Sequence, residues 1–129
     1  MTSQGHVIPI KAEECRQLLG ERQIARISWS SSQGIVIIPV NYVLQDDDLL
    51  LRVSPDSVLA ELAHGREVAV EVEDVDESTA NGWSVLVRGR STVHDGDTVT
   101  LPQPWAPGNR DLLIAVRVES LTGRSVSAD

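Results

Sequence analysis

Residues Glu67 to Glu73 read EVAVEVE, apolar at every second position, with Val68, Val70 and Val72 on one side. An acidic turn, Asp74 to Asn81, leads into NGWSVLVRGRSTV, where Trp83, Val85, Val87, Gly89 and Val93 share a side. Period-two alternation of this length is the pattern of a strand with one face in a core, and it excludes an all-helical fold.

The pattern recurs along the chain. Arg22 to Trp29 alternates, with Ala25, Ile27 and Trp29 together, and Ser30 to Gly34 is turn chemistry. Gly34 to Leu44, GIVIIPVNYVL, is a nearly continuous apolar run, which predicts burial on both faces. Asp46–Asp48 forms a hairpin turn into a strand with Leu49, Leu51 and Val53 on one face. The last strand is predicted at Leu112 to Ser120, with Leu112, Ile114, Val116 and Val118 inward. Two short helices interrupt the strands. Lys11 to Leu19 carries Glu13 and Glu14 in its first turn and can stop at Gly20. Asp56 to His64 buries Val58, Leu59, Leu62 and Ala63, and Gly65 ends it. Residues 1–9 read as a loose arm and the tail from Thr122 as polar coil.

The fold class is therefore mainly β (α+β), with a six-stranded antiparallel barrel, closed or partly open and with small helices at its ends or gaps, expected, though pattern alone does not separate it from another α+β sheet. A chain of 129 residues is one domain, large enough to bury roughly 68% of its unfolded surface.

Composition narrows the partners. The net charge is −8, with one lysine, Lys11, against ten arginines, so no nucleic acid is expected. No apolar run reaches the ~20 residues of a membrane span, and no secretory signal is evident, so a cytoplasmic protein is expected. Cys15 is the single cysteine, which leaves no intrachain disulfide. His6, His64 and His94 lack metal spacing, and no metal is expected. No nucleophile–base pair is readable, so any catalysis must rest on a bound cofactor.

Three stretches can carry such a site. In RVSPDSVLAEL, 52–62, Arg52 and Val53 end a strand and Ser54 or Ser57 opens a helix, whose free N–H groups suit an anion or simply an N-cap. Pro39 cannot donate to a ladder and belongs at an edge, bulge or bend. Asn41 is polar in an apolar run, either lining a pocket or satisfied at a bulge. Trp83 begins a strand whose Ser84, Arg88 and Arg90 face the other way, and Gly89 between the arginines permits a bulge or a close approach. A core tryptophan with arginines paired to acids is the plainer alternative.

Together these stretches resemble the pyridoxamine 5′-phosphate oxidase-like family of flavin-binding split barrels, and most nearly a small branch common in actinobacteria. The resemblance runs in order through EECRQLLGE (13–21), PVNY (39–42), RVSPDSVLAEL (52–62), the acidic segment 71–76, GWSVLVRG (82–89) and TGR (122–124). It implies a split-barrel homodimer with flavin mononucleotide (FMN) in each of two clefts between subunits. The phosphate would lie near Arg52, Val53, Ser54 and Ser57. The ring would run along Pro39, Val40 and Asn41, with Trp83, Ser84 and Val85 nearby. Trp105 and Arg124 would close the cleft from the partner.

The implied activity is a flavin-dependent oxidoreductase acting on a small-molecule substrate, the flavin carrying the chemistry. One departure bears on affinity: Val58 stands where relatives often carry lysine. One charge-assisted hydrogen bond lost is worth on the order of 1.5–3 kcal/mol, which predicts weak FMN binding. The alternatives are a non-catalytic split-barrel dimer that binds or senses a small ligand, and a reductase using a deazaflavin coenzyme, whose longer anionic tail would want more basic residues.

Overall fold

The computed structural model describes residues 5–95 and 111–128. Its elements run β1 (His6–Ile10), α1 (Ala12–Glu21), β2 (Ile24–Ser31), β3 (Gly34–Gln45), β4 (Asp48–Val53), a 3₁₀ helix (Val58–His64), β5 (Glu67–Asp76), β6 (Asn81–Val93) and β7 (Leu112–Ser127). All pairings are antiparallel, in the order β1-β7-β4-β3-β2-β5-β6, and a further β7–β6 pairing closes β2 to β7 into a six-stranded barrel. This is the β-rich architecture that the alternation predicted and the split-barrel-like fold that the resemblance implied.

The inward faces follow the sequence. Ile27, Leu49, Leu51, Val70, Val72, Val85, Val87, Ile114 and Val116 are all fully buried. Tyr42 of the PVNY stretch is also interior, and its hydroxyl donates to the Leu19 carbonyl, which ties β3 to α1. Burial pushes the Tyr42 phenol well above its ordinary range, so it stays protonated and keeps that bond.

Five readings are corrected. Residues His6–Ile10 are not a loose arm but a strand paired with Gly123–Ser127, and the polar tail is the second half of β7. These strands are held by main-chain pairing with mostly exposed side chains, so hydrophobic periodicity could not reveal them. Gly20 does not stop α1, which runs to Glu21. The second helix is a seven-residue 3₁₀ helix beginning at Val58, preceded by a turn at Ser54–Ser57; Gly65, at φ 71°, does end it. Finally, β3 is not buried on both faces: Ile35 is 79% and Ile37 66% exposed.

Gly89 explains the Arg-Gly-Arg of β6. It sits at a β-bulge where β7 crosses so closely that a Cβ would lie 2.1 Å from the Arg117 carbonyl oxygen. The close approach is by backbone.

Candidate functional site

The barrel's outer face is a grid of cross-strand rows. Pro39 pairs with Arg26, Arg26 with Glu71, Glu71 with Leu86, and Leu86 with Thr122. One step along, Asn41 pairs with Ile24, while Glu73, Ser84, Arg124 and Pro9 form the continuation across β5, β6, β7 and β1. Directly paired antiparallel residues share a face, so Pro39, Ser84 and Arg124 all look outward.

Three clefts adjoin on this face. The first, about 670 Å³, is bordered by Pro39, Arg22, Arg26, Glu71, Glu73 and Asp74, among others. It shares Asp74 with a cleft of about 530 Å³ beside Trp83, and Glu71 with one of about 350 Å³ beside Ser84 and Arg124. The floor is cross-linked: Arg26 bonds Glu73 at 2.7 Å, Arg22 bonds Asp74 at 3.2 Å, and the Arg22 guanidinium lies 5.6 Å from the centre of the Trp83 ring. Acids outnumber bases in the first cleft, so it suits a neutral planar group better than a phosphate.

A second group of candidate residues flanks the end of the β3–β4 ladder. The β3–β4 ladder runs from Gln45–Asp48 to Tyr42–Leu51 and no further, so β4 does not pair with Pro39, Val40 or Asn41. The chain of Arg52, Val53 and Ser54 continues beside that opening. Pro39 thus occupies the kind of open edge its missing N–H predicted.

The turn that follows satisfies much of its own hydrogen bonding. Ser57 Oγ donates to the Ser54 carbonyl at 2.8 Å, and the Asp56 N–H donates to Ser54 Oγ at 3.2 Å. Val58 is partly buried against the core, so the residue in the lysine position is used for packing. Arg52, Ser54 and Ser57 can still hold a phosphate, the arginine as cation and the serines as hydroxyl donors. Ser57 would have to exchange its Ser54 bond to do so.

The expected residues are therefore divided. Pro39, Val40 and Asn41 lie on β3 just beyond its last ladder pair with β4, Tyr42–Leu51, and Arg52, Val53, Ser54 and Ser57 follow that pair on the other strand. Ser84 lies across the outer face with β2 and β5 between, about 14 Å of sheet at ~4.8 Å per strand, Arg124 lies one strand beyond it on β7, and Trp83 points to the opposite side of β6, against the core. Val53 and Val85 are fully buried and point their side chains into the core, which leaves only their main chain for a ligand. Trp105 lies outside the described residues. Sequence reasoning missed Arg22, Arg26 and Asp74 as the cleft's framework, because their association depends on strand register.

Among the described residues no helix is long and apolar enough to cross a membrane, and no group of three or more potential metal ligands is present.

Comparison with known proteins agrees with the grid. The chain is 28% identical to the uncharacterized protein Rv0080 of Mycobacterium tuberculosis, covering 98% of this chain and 90% of that one. A solved FAD-binding protein of Mycobacterium smegmatis is 27% identical with a TM-score of 0.74, covering 93% of this chain and 98% of that one. A FAD-binding protein of Mesorhizobium loti shares the fold at 20% identity and a TM-score of 0.76, covering 96% and 99%. A family model described as pyridoxamine 5′-phosphate oxidase matches residues 11–125, nearly the whole chain, which therefore belongs to that family.

Proposed function

We propose that this protein is a flavin-binding oxidoreductase, holding FMN in a cleft that a second copy of the chain completes and acting on a small molecule. The observation that carries the reading is the β3–β4 opening. There residues 39–41 of β3 have left the β4 ladder and the Arg52–Ser57 segment follows its last pair, in a chain that belongs to this family and is similar to a FAD-binding protein.

In this reading Arg52 and Ser57 hold the phosphate, and Pro39 presents a flat, donor-free surface beside the ring. When bound, the flavin supplies reversible hydride or electron transfer. The chain's own contribution is to bind, orient and exclude water, which explains why no general base is needed. The second copy is invoked because Trp83, Ser84 and Arg124 stand too far from the opening to close it within one barrel. The exposed Ile35 and Ile37, with Ile24 and Val75 on the same outer face, favour an interface between copies there.

Titration with riboflavin, FMN and FAD, read by visible absorption, tests the proposal. Tight FMN binding that bleaches with NADPH supports it. No binding at saturating flavin overturns it and leaves the sensing module, which Val58 favours. FAD outcompeting FMN supports a second reading, favoured by the FAD-binding relatives. Arg52→Ala should weaken FMN by about tenfold or more and riboflavin hardly at all. A monomer in light scattering at micromolar concentration would rule out the shared cleft.

A further inference from the structure

At the opposite end of the β5–β6 ladder from Asp74, a cleft of about 610 Å³ is bordered by Arg66, Arg88 and Arg90, together with Ser28, Ser30 and Trp29. We infer that this cleft is a second, separate site, for the phosphate or carboxylate group of a small anionic ligand.

Charge accounting carries the inference. Arg16, Arg22, Arg26 and Arg117 are each ion-paired with a carboxylate. Among the described residues none of Arg66, Arg88 and Arg90 has a carboxylate within ion-pair distance, and the Glu61 carboxylate acts on Arg66 only from beyond that distance, although acids far outnumber bases in the whole chain. Glu67 also borders the cleft, directly opposite Arg90 in the ladder, and it forms no ion pair with any of the three. Three guanidinium groups around one hollow repel one another until an anion enters, and an arginine fork matches phosphate and carboxylate oxygens in pairs.

The arginines are also held. Fully buried Ser91 clasps the Arg66 main chain: its N–H donates to the Arg66 carbonyl at 2.8 Å, and its Oγ accepts from the Arg66 N–H at 3.0 Å. The Gly65 carbonyl accepts from Arg90 Nη1 at 3.0 Å. Arg88 and Arg90 project from the same face of β6, on either side of the Gly89 bulge position. None of these residues belongs to the flavin cleft, so the inference stands apart from the flavin reading.

The test uses the whole protein, ¹⁵N-labelled, titrated with inorganic phosphate at constant ionic strength. The assigned backbone amide signal of Trp29 should shift saturably while the indole signal of Trp83 stays still. Arg88→Gln with Arg90→Gln should weaken the response at least about tenfold. Arg16→Gln, remote and paired to Asp47, should leave it unchanged. A Trp29 shift that chloride reproduces, or that survives in the double variant, overturns the site. So does a double variant that alters only the oligomeric state, since the arginines would then serve a contact between copies. Riboflavin should move Trp83 alone, so either proposal can fail without the other. FMN displacing phosphate from the Trp29 response would make this the flavin's own phosphate site and overturn the assignment to a separate ligand.

Discussion

The two ends of the β5–β6 ladder use arginine in opposite ways. At the Asp74 end, Arg22 and Arg26 are consumed by Asp74 and Glu73, and one of them also covers Trp83. At the Gly65 end, Arg66, Arg88 and Arg90 border a hollow without a paired acid, on a main chain fixed by Ser91. Residue type is the same at both ends. Side-chain placement decides which arginines meet carboxylates, since Glu67 stands opposite Arg90 in the ladder without bonding it, and therefore which end is cross-linked and which can receive a charged ligand.

The basic end should break most easily at its bulge. Gly89→Ala forces a Cβ against the β7 main chain, which cannot swing away like a side chain, and should cost about 3 kcal/mol or more in urea unfolding. A loss under about 1 kcal/mol would mean the bulge relaxes freely. Ser91→Ala removes the buried partner of the Arg66 N–H and should cost about 1–2 kcal/mol, together with the phosphate response.

Acid should loosen the same end next. The Glu61 carboxylate accepts from the Ser32 hydroxyl and N–H and from the Trp29 indole, and these bonds hold its pKa below the ordinary carboxylate value. Its contribution is present above the unfolded pKa of about 4.3 and is lost as pH falls through the lower folded value. Unfolding midpoints from pH 6 to pH 3 should therefore fall more steeply in the natural protein than in Glu61→Gln. Parallel curves would remove Glu61 from the account.

The acidic end should yield the smallest effect. Arg26→Gln breaks one exposed ion pair and should cost at most about 1 kcal/mol, less at high salt. A larger loss would mean that pairing there is structural rather than a surface cross-link.

Much of the barrel was legible because its strands bury one face. Val68, Val70 and Val72 alternate in the sequence and lie in the core, as do Ile27, Leu51 and Ile114. What stayed hidden had no side-chain signature. β1 and the end of β7 pair through their main chains, and the GIVII run looked doubly buried although Ile35 and Ile37 face outward. Of the stretches read as the candidate site, PVNY and RVSPDS flank the end of the β3–β4 ladder, while Tyr42, which reads as part of the same motif, proved to be a core anchor.

Local chemistry by itself determined the elements, their inward faces and the Gly65 stop, since these depend on periodicity and backbone freedom within a few residues. Only the tertiary structure decided which arginines were neutralised, where β3 parted from β4, and why Gly89 had to be glycine. Those depend on what lies across a neighbouring strand, and separation along the chain carries no record of that distance.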